Sequence, residues 1–181
     1  MRIFAATALA FALAGPAAAD VADVRFDGIA GGEIALADYA GRPVLVVNTA
    51  SFCGFTDQYA GLQAVWERYR DDGLVVVGVP TDDFDQEPGS EAEIREFCEV
   101  NFDVDFPLTA KVTTRGADQH PFFAAVEARL GAGALPGWNF TKFLVGADGA
   151  LRATWPSHVR PESAAVTEAI EAELAREASA S

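Results

Sequence analysis

The stretch "PVLVVNTASFCGFTDQYAGLQAVWERYRDDGLVVVGVP", residues 43–80, decides the fold. It opens on a continuous β-branched run, Val44 to Val47, that ends in small polar residues, the pattern of a strand buried on both faces. From Gln58 to Arg70 the apolar residues Leu62, Val65, Trp66 and Tyr69 recur at helical spacing, and Asp71, Asp72 and Gly73 stop the pattern. A second buried strand, "LVVVGVP", follows at once. Strand, helix and strand joined by short links form a βαβ crossover, whose strands run parallel and whose hand is right.

Outward from this unit the other elements follow from local signals. "DVRFDGIAGGEIALADYAG" places Val24, Phe26 and Ile29 before a Gly-rich turn and Ile34 and Leu36 after it, which predicts a short hairpin. In "EPGSEAEIREFCEVNF", Ser90 is positioned to cap a helix and Glu93 to close a capping box, with Ile94, Phe97 and Cys98 on one face. "HPFFAAVEARLG" reads as a helix with Pro121 in its first turn and Gly131 after its end. "FTKFLVGADGALRATW" reads as two strands joined across Asp148 and Gly149. Pro161 is expected to open a last helix carrying Val166, Ile170 and Leu174, with a frayed Ala/Ser/Glu tail. This order predicts an α/β chain of thioredoxin-like fold, a central mixed β-sheet flanked by helices on both faces.

The chain has 181 residues, half of them hydrophobic, which suits one domain with a full core. A net charge of -14 argues against nucleic acid or an anionic membrane surface as a partner. Residues 1–19, "MRIFAATALAFALAGPAAA", have a positive n-region at Arg2, an apolar run from Ile3 to Ala14 and an A-x-A site at Ala17 to Ala19. They read as a cleavable signal peptide ahead of a single domain over 20–181. The apolar run is too short to span a bilayer about 30 Å thick, and no later segment approaches that length. The expected location is therefore the periplasm or the outside, where a disulfide can persist.

Cys53 lies between the first buried strand and the helix, outside the carboxyl end of a sheet strand, where open α/β sheets place their ligands. Helix dipole and free amides there favour an anion, here a thiolate. Position alone leaves open a reactive Cys53 and an inert, partly buried one. Thr56 stands where a CxxC motif has its second sulfur, so an ordinary dithiol exchanger is excluded. A lone thiolate suits attack on the O–O bond of a peroxide, giving a sulfenic acid that needs a second thiol. Cys98 is the one other cysteine in the chain. Two further readings stay open: a structural Cys53–Cys98 disulfide in a non-catalytic domain, and Cys98 as a core residue. His120 and His158 lack ligand-spaced companions, so neither metal nor cofactor is called for; both are expected at the surface, with His120 positioned to cap a helix.

Three blocks, "VLVVNTASFCGFTDQYAGL", "DQEPGSEAEIREFC" and "GWNFTKFLV", together resemble the signature blocks of the glutathione peroxidase family, in order and at similar separations. The resemblance implies that Cys53 is the peroxidatic cysteine and that Gln86, Trp138 and Asn139 are its amide and indole partners. Such N–H groups donate to a thiolate, and to the departing oxyanion, without burying a counter-charge. Taken singly, Gln86 also reads as a loop residue, Trp138 as a core aromatic and Asn139 as a turn former. Cys98 matches the resolving cysteine of two-cysteine members, which resemble thioredoxin-dependent peroxidases more than glutathione users. The resemblance further implies that the sulfurs start far apart and that helix 90–102 partly unwinds, since a disulfide needs Cα atoms within about 7 Å.

Two departures from the family pattern matter. Relatives commonly read "PCNQF" where this chain has Pro80, Thr81, Asp82, Asp83 and Phe84, so two carboxylates replace amide residues near the site. That charge opposes anionic glutathione and favours a thioredoxin-like donor over a low-molecular-weight thiol. The stretch "VEARLGAGALPGWNF" lacks the insertion through which tetrameric relatives assemble, so a monomer is expected.

Overall fold

Neighbouring residues of a strand point to opposite faces, so a strand apolar at successive positions must be covered twice. The computed structural model, which describes residues 21–180, shows how this chain meets that demand. Strands β3 (Val44–Thr49) and β4 (Val75–Pro80) run parallel and are buried along their whole length. Leu45, Val47 and Val76 face a core shared with α1 (Gln58–Tyr69), α2 (Glu91–Phe102) and α4 (Ala164–Ala180). Val44, Val46, Val75 and Val77 face a second core, built with Phe122 and Phe123 of α3 (Pro121–Leu130) and Phe26 of the hairpin β1 (Arg25–Asp27) and β2 (Glu33–Ala35).

The four-stranded sheet has the order β4-β3-β5-β6, with β5 (Lys142–Val145) and β6 (Leu151–Trp155) antiparallel to their neighbours. The sheet is thus mixed and covered on both faces, as the sequence predicts. The outer edge of β4 is closed by the segment after α2, where Gly78 bonds to Pro107 and Thr109 and Val112 bonds to Pro80. Gly78 has no side chain for a reason: a Cβ there would meet Leu108 at 2.5 Å.

Local signals are obeyed closely. Ser90 and Glu93 form the reciprocal capping box of α2, and Gly131 ends α3 at φ 83°. His120 does cap α3 through Nδ1, but it is only half exposed, stacked on Phe26 with ring centroids 4.3 Å apart. The surface position expected for it holds for His158 alone. The last helix starts at Ala164, three residues after Pro161, because Pro161–Ser163 form a turn and the Ser163 carbonyl takes the first helical bonds. Its tail does not fray where expected: helix continues to Ala180, supported by the Arg176–Glu173 pair and the Ser179 bond to Ala175. Residues 1–19, which the sequence analysis reads as a signal peptide, lie outside the described residues. Among those described, no helix is long and apolar enough to cross a membrane.

One core residue defies composition. Lys142 is fully buried in β5, and its Nζ donates to the side-chain oxygen of Gln58 and to the carbonyls of Phe140 and Val159. The Ser157 carbonyl lies at 3.5 Å as a fourth acceptor, and this ring of oxygens favours the protonated form that burial opposes. Burial pushes its pKa down to about 7, against the pull of Glu162. The bonds tie the start of α1 to Phe140, which follows Asn139 just before β5, and to the loop that carries Val159. Lys142→Ala should lower unfolding free energy by about 3 kcal/mol in urea melts, since three oxygens lose their partner. A lysine lowered in the fold binds fewer protons folded than unfolded, so its contribution is lost as pH falls from its ordinary value toward 7. The measured cost should therefore shrink over that window.

Candidate active site

After β3 the chain turns tightly through 50–57 before α1, and one hydroxyl organises the turn. Thr56 Oγ1 accepts the Cys53 N–H at 3.0 Å and donates to the Cys53 carbonyl, with the Ser51 carbonyl at 3.3 Å. The Thr56 N–H also bonds to the Cys53 carbonyl, at 3.1 Å. Both backbone groups of Cys53 are thereby held by the residue that replaces the second CxxC sulfur. The Phe55 N–H points at Cys53 Sγ, 3.4 Å away, so a backbone dipole faces the sulfur. Overlapping turns from Phe55 and Thr56 then run into α1. Cys53 is 7% exposed while the adjacent Phe52 is 63% exposed, so the thiol sits in a shallow well behind an aromatic rim.

Two distant segments converge on this turn. The Phe52 N–H bonds to the Gln86 carbonyl at 2.9 Å, and Asn139 Nδ2 donates to Gln86 Oε1 at 3.0 Å. The Gln86 oxygen is thus committed to Asn139, and its amide nitrogen is left to donate. Asn139 is fully buried, aimed inward by a backbone reversal at Phe140, φ 65°. Asn48, at the end of β3, fixes that reversal: its Nδ2 donates to the Trp138 carbonyl and its Oδ1 accepts the Thr141 N–H. Trp138 is 39% exposed and packs on Phe84 with ring centroids 5.0 Å apart. It is a rim residue, not the core aromatic that composition alone allows. Gln86 and Asn139 are therefore joined to each other and, through the Gln86 carbonyl, to Phe52 of the Cys53 turn, while Trp138 packs on Phe84 beside Asn139 in the chain.

Cys98 is placed differently. It is fully buried on α2, in the same core as Cys53, and both are free thiols. Among the described residues the two sulfurs are not joined. Burial pushes the Cys98 thiol up to about 12, with Tyr59 opposing and Glu87 adding to the rise. Phe97, one residue before it, meets Phe52 edge to face at 6.0 Å, which links α2 to the Cys53 turn across the rim.

A family model described as Glutathione peroxidase matches residues 21–127, more than half of the chain. The chain belongs to the glutathione peroxidase family. Hydroperoxy fatty acid reductase gpx1 of Synechocystis sp. is 43% identical over 144 residues, covering 75% of this chain and 85% of that protein. Glutathione peroxidase-like peroxiredoxin gpx1 of Schizosaccharomyces pombe is 44% identical over 126 residues, 67% of this chain and 79% of that one. The crystal structure of Trgpx in apo form matches with a TM-score of 0.70 at 32% identity, over 88% of this chain and 98% of that one. A glutathione peroxidase of this kind is a thiol peroxidase on a thioredoxin-like fold.

Sequence reasoning missed three residues of this family member's site. The motif reading gives Thr56 only the place of an absent sulfur, whereas its hydroxyl locks the turn. Sequence reasoning gives no role to Tyr59, fully buried beside Cys98, or to Glu87, half-buried and next to Gln86 in the second signature block, whose Oε2 accepts the Ser51 N–H. Thr56→Val should slow loss of the Cys53 thiol on peroxide addition about tenfold, because the sulfur is no longer held in one attack geometry. Thr56→Ser should restore it. Rapid alkylation in a Cys98→Ser background reads this directly.

Proposed function

We propose that Cys53 is the peroxidatic cysteine and Cys98 the resolving cysteine of an exported peroxidase that acts on hydrogen peroxide and organic hydroperoxides. The observation that carries this is a lone thiol held by Thr56 at a helix N-terminus, with the Phe55 N–H on its sulfur and the Gln86–Asn139 pair beside it. The Cys53 thiolate attacks the peroxide oxygen, the O–O bond breaks, and water or an alcohol leaves after taking a proton. Cys53 is then a sulfenic acid. In this reading the Phe55 N–H, which lies on the sulfur, and the Gln86 amide nitrogen, whose oxygen partner is taken by Asn139, stabilise charge on sulfur and departing oxygen without a buried cation. The rim formed by Phe52, Phe84, Phe97 and Trp138 suits organic hydroperoxides, in keeping with the name of the Synechocystis relative.

Cys98 then attacks the sulfenic sulfur, forming the disulfide and releasing water. Ile94 and Cys98 of α2 are buried, Phe97 and Phe102 pack partly buried beside them, and the other eight residues of the helix that must move are exposed. The carboxylates in place of amides support a thioredoxin-like reductant over glutathione. Asp83 accepts the backbone N–H and hydroxyl of Thr114, and Asp82 accepts the Glu87 N–H, so both are fixed beside the site. The N-terminal segment supports a periplasmic or secreted location, and the short connection after α3 supports a monomer.

Cys53→Ser should abolish peroxide turnover, while Cys98→Ser should still reduce one equivalent of peroxide per chain and then stop. Stopped-flow peroxide consumption separates these outcomes, and a fully active Cys53→Ser enzyme contradicts the reading. With the parent enzyme, a thioredoxin-like donor should sustain turnover at concentrations where glutathione does not saturate.

A further inference from the structure

The rim of the site carries a cation that no carboxylate of the described chain neutralises. Arg115, exposed in the loop before α3, lies over the Phe84 ring with its guanidinium carbon 5.3 Å from the centroid, and its Nη2 donates to the Pro136 carbonyl. Phe84 in turn packs on Trp138, with ring centroids 5.0 Å apart. Guanidinium, ring and indole thus form a continuous shelf, drawn from the loops before α3, after β4 and before β5. The shelf is joined to the Cys53 turn: Trp138 precedes Asn139, which donates to Gln86, and the Gln86 carbonyl holds the Phe52 N–H.

Arg25, Arg68, Arg70, Arg95, Arg152 and Arg160 each pair with an aspartate or glutamate, as a chain of net charge -14 makes easy. Among the described residues no carboxylate pairs with Arg115; its carbonyl and ring partners leave its charge uncompensated and most of its five donors unused. The aspartates beside Phe84 are engaged elsewhere: Asp83 Oδ2 accepts the N–H and hydroxyl of Thr114, and Asp82 Oδ1 accepts the Glu87 N–H. The Asp83–Thr114 bonds fasten the Arg115 loop to the loop that carries Phe84. The guanidinium is therefore held in place before any ligand arrives, which lowers the entropic cost of binding one. A planar fork with free donors, set at the end of an apolar shelf, matches a carboxylate on an apolar chain.

Resting on the assignment of Cys53 as the peroxidatic cysteine, we propose that Arg115 is a specificity-determining residue that selects organic hydroperoxides bearing their own carboxylate. The apolar chain of the substrate lies along Phe84 and Trp138, the carboxylate pairs with the guanidinium at the outer end, and the hydroperoxide reaches Cys53 at the inner end. The reaction at sulfur is unchanged, and Arg115 contributes binding alone. A hydroperoxide esterified at its carboxyl loses that contribution. Two forces compete over such an anion. The net negative chain repels it at long range, but salt screens that field beyond about 8 Å, whereas a pair in contact is screened far less. Near physiological ionic strength the local pair therefore wins.

Linoleic acid hydroperoxide and its methyl ester, dispersed in the same non-ionic detergent, differ at the carboxyl alone and supply the test. The full chain should reduce the acid with a kcat/KM about fivefold above that of the ester. In Arg115→Gln the acid-to-ester ratio should fall to one or below, because only the net negative charge still acts; Arg115→Lys should keep part of the preference. The ratio is read within one enzyme, so damage to folding or to Cys53 reactivity cancels, and a merely structural role for Arg115 leaves it unmoved. An Arg115→Gln ratio equal to the parent's overturns the proposal, as does a parent ratio at or below one. Should Arg115→Gln not fold, the parent ratio should still fall as salt rises from about 0.15 M to about 1 M, and a ratio that stays level overturns the proposal equally. A variant altered only in its dependence on glutathione, with the acid-to-ester ratio intact, also overturns it and gives Arg115 to the carboxylates of the reductant. A Cys53→Ser enzyme as active as the parent instead strikes at the Cys53 assignment on which the proposal rests, a distinct failure.

Discussion

The site depends on the closed turn at the end of β3, in which one threonine hydroxyl binds both backbone groups of Cys53. A strand buried on two faces delivers the chain to a fixed point, and the helix that follows must start at once to keep its own apolar face in the core. The turn between them has little freedom left. Thr56 removes the remainder, and the sulfur is held with a backbone N–H upon it and no cation required nearby. With a second cysteine at this position the turn would hold a dithiol; with threonine it holds a single nucleophile of defined direction.

The same economy explains why the partners lie far away in sequence. Asn48 closes β3 and grips the reversal at Trp138–Thr141, so the strand that presents Cys53 also orients Asn139. Asn139 in turn fixes Gln86, whose carbonyl holds Phe52. The ring of contacts therefore closes on the turn it serves. Lys142 supports it from below, through Phe140 and Gln58, at the cost of burying a charge among neutral oxygens. Cys98 stands outside this ring, on a helix held to the core by side chains alone, Ile94, Phe97, Cys98 and Phe102, so the sheet can stay fixed while α2 moves.

The framework was legible wherever periodicity and capping speak locally. The parallel β3–β4 pair, the capping box at Ser90 and the hairpin across Asp148 and Gly149 all follow from residues within one turn of each other. The start of α4 was misplaced because proline tolerates both a turn and a first helical residue, and the choice lay with Ser163. Gln86, Trp138 and Asn139 were readable only through the family blocks, since Gln86 and Asn139 meet across 53 positions and neither is chemically distinctive alone. Lys142 was illegible because lysine is almost always exposed, and only the fold supplies its ring of oxygens.

The central claim is that a fixed Cys53 turn is served by a helix that opens to deliver Cys98. Hydrogen exchange along the chain before and after one equivalent of peroxide tests it most directly. The account predicts that amides of α2 lose protection by about 100-fold in the oxidised form while those of β3, β4 and α1 keep theirs. Formation of the Cys53–Cys98 disulfide with α2 as protected as in the reduced protein would contradict it.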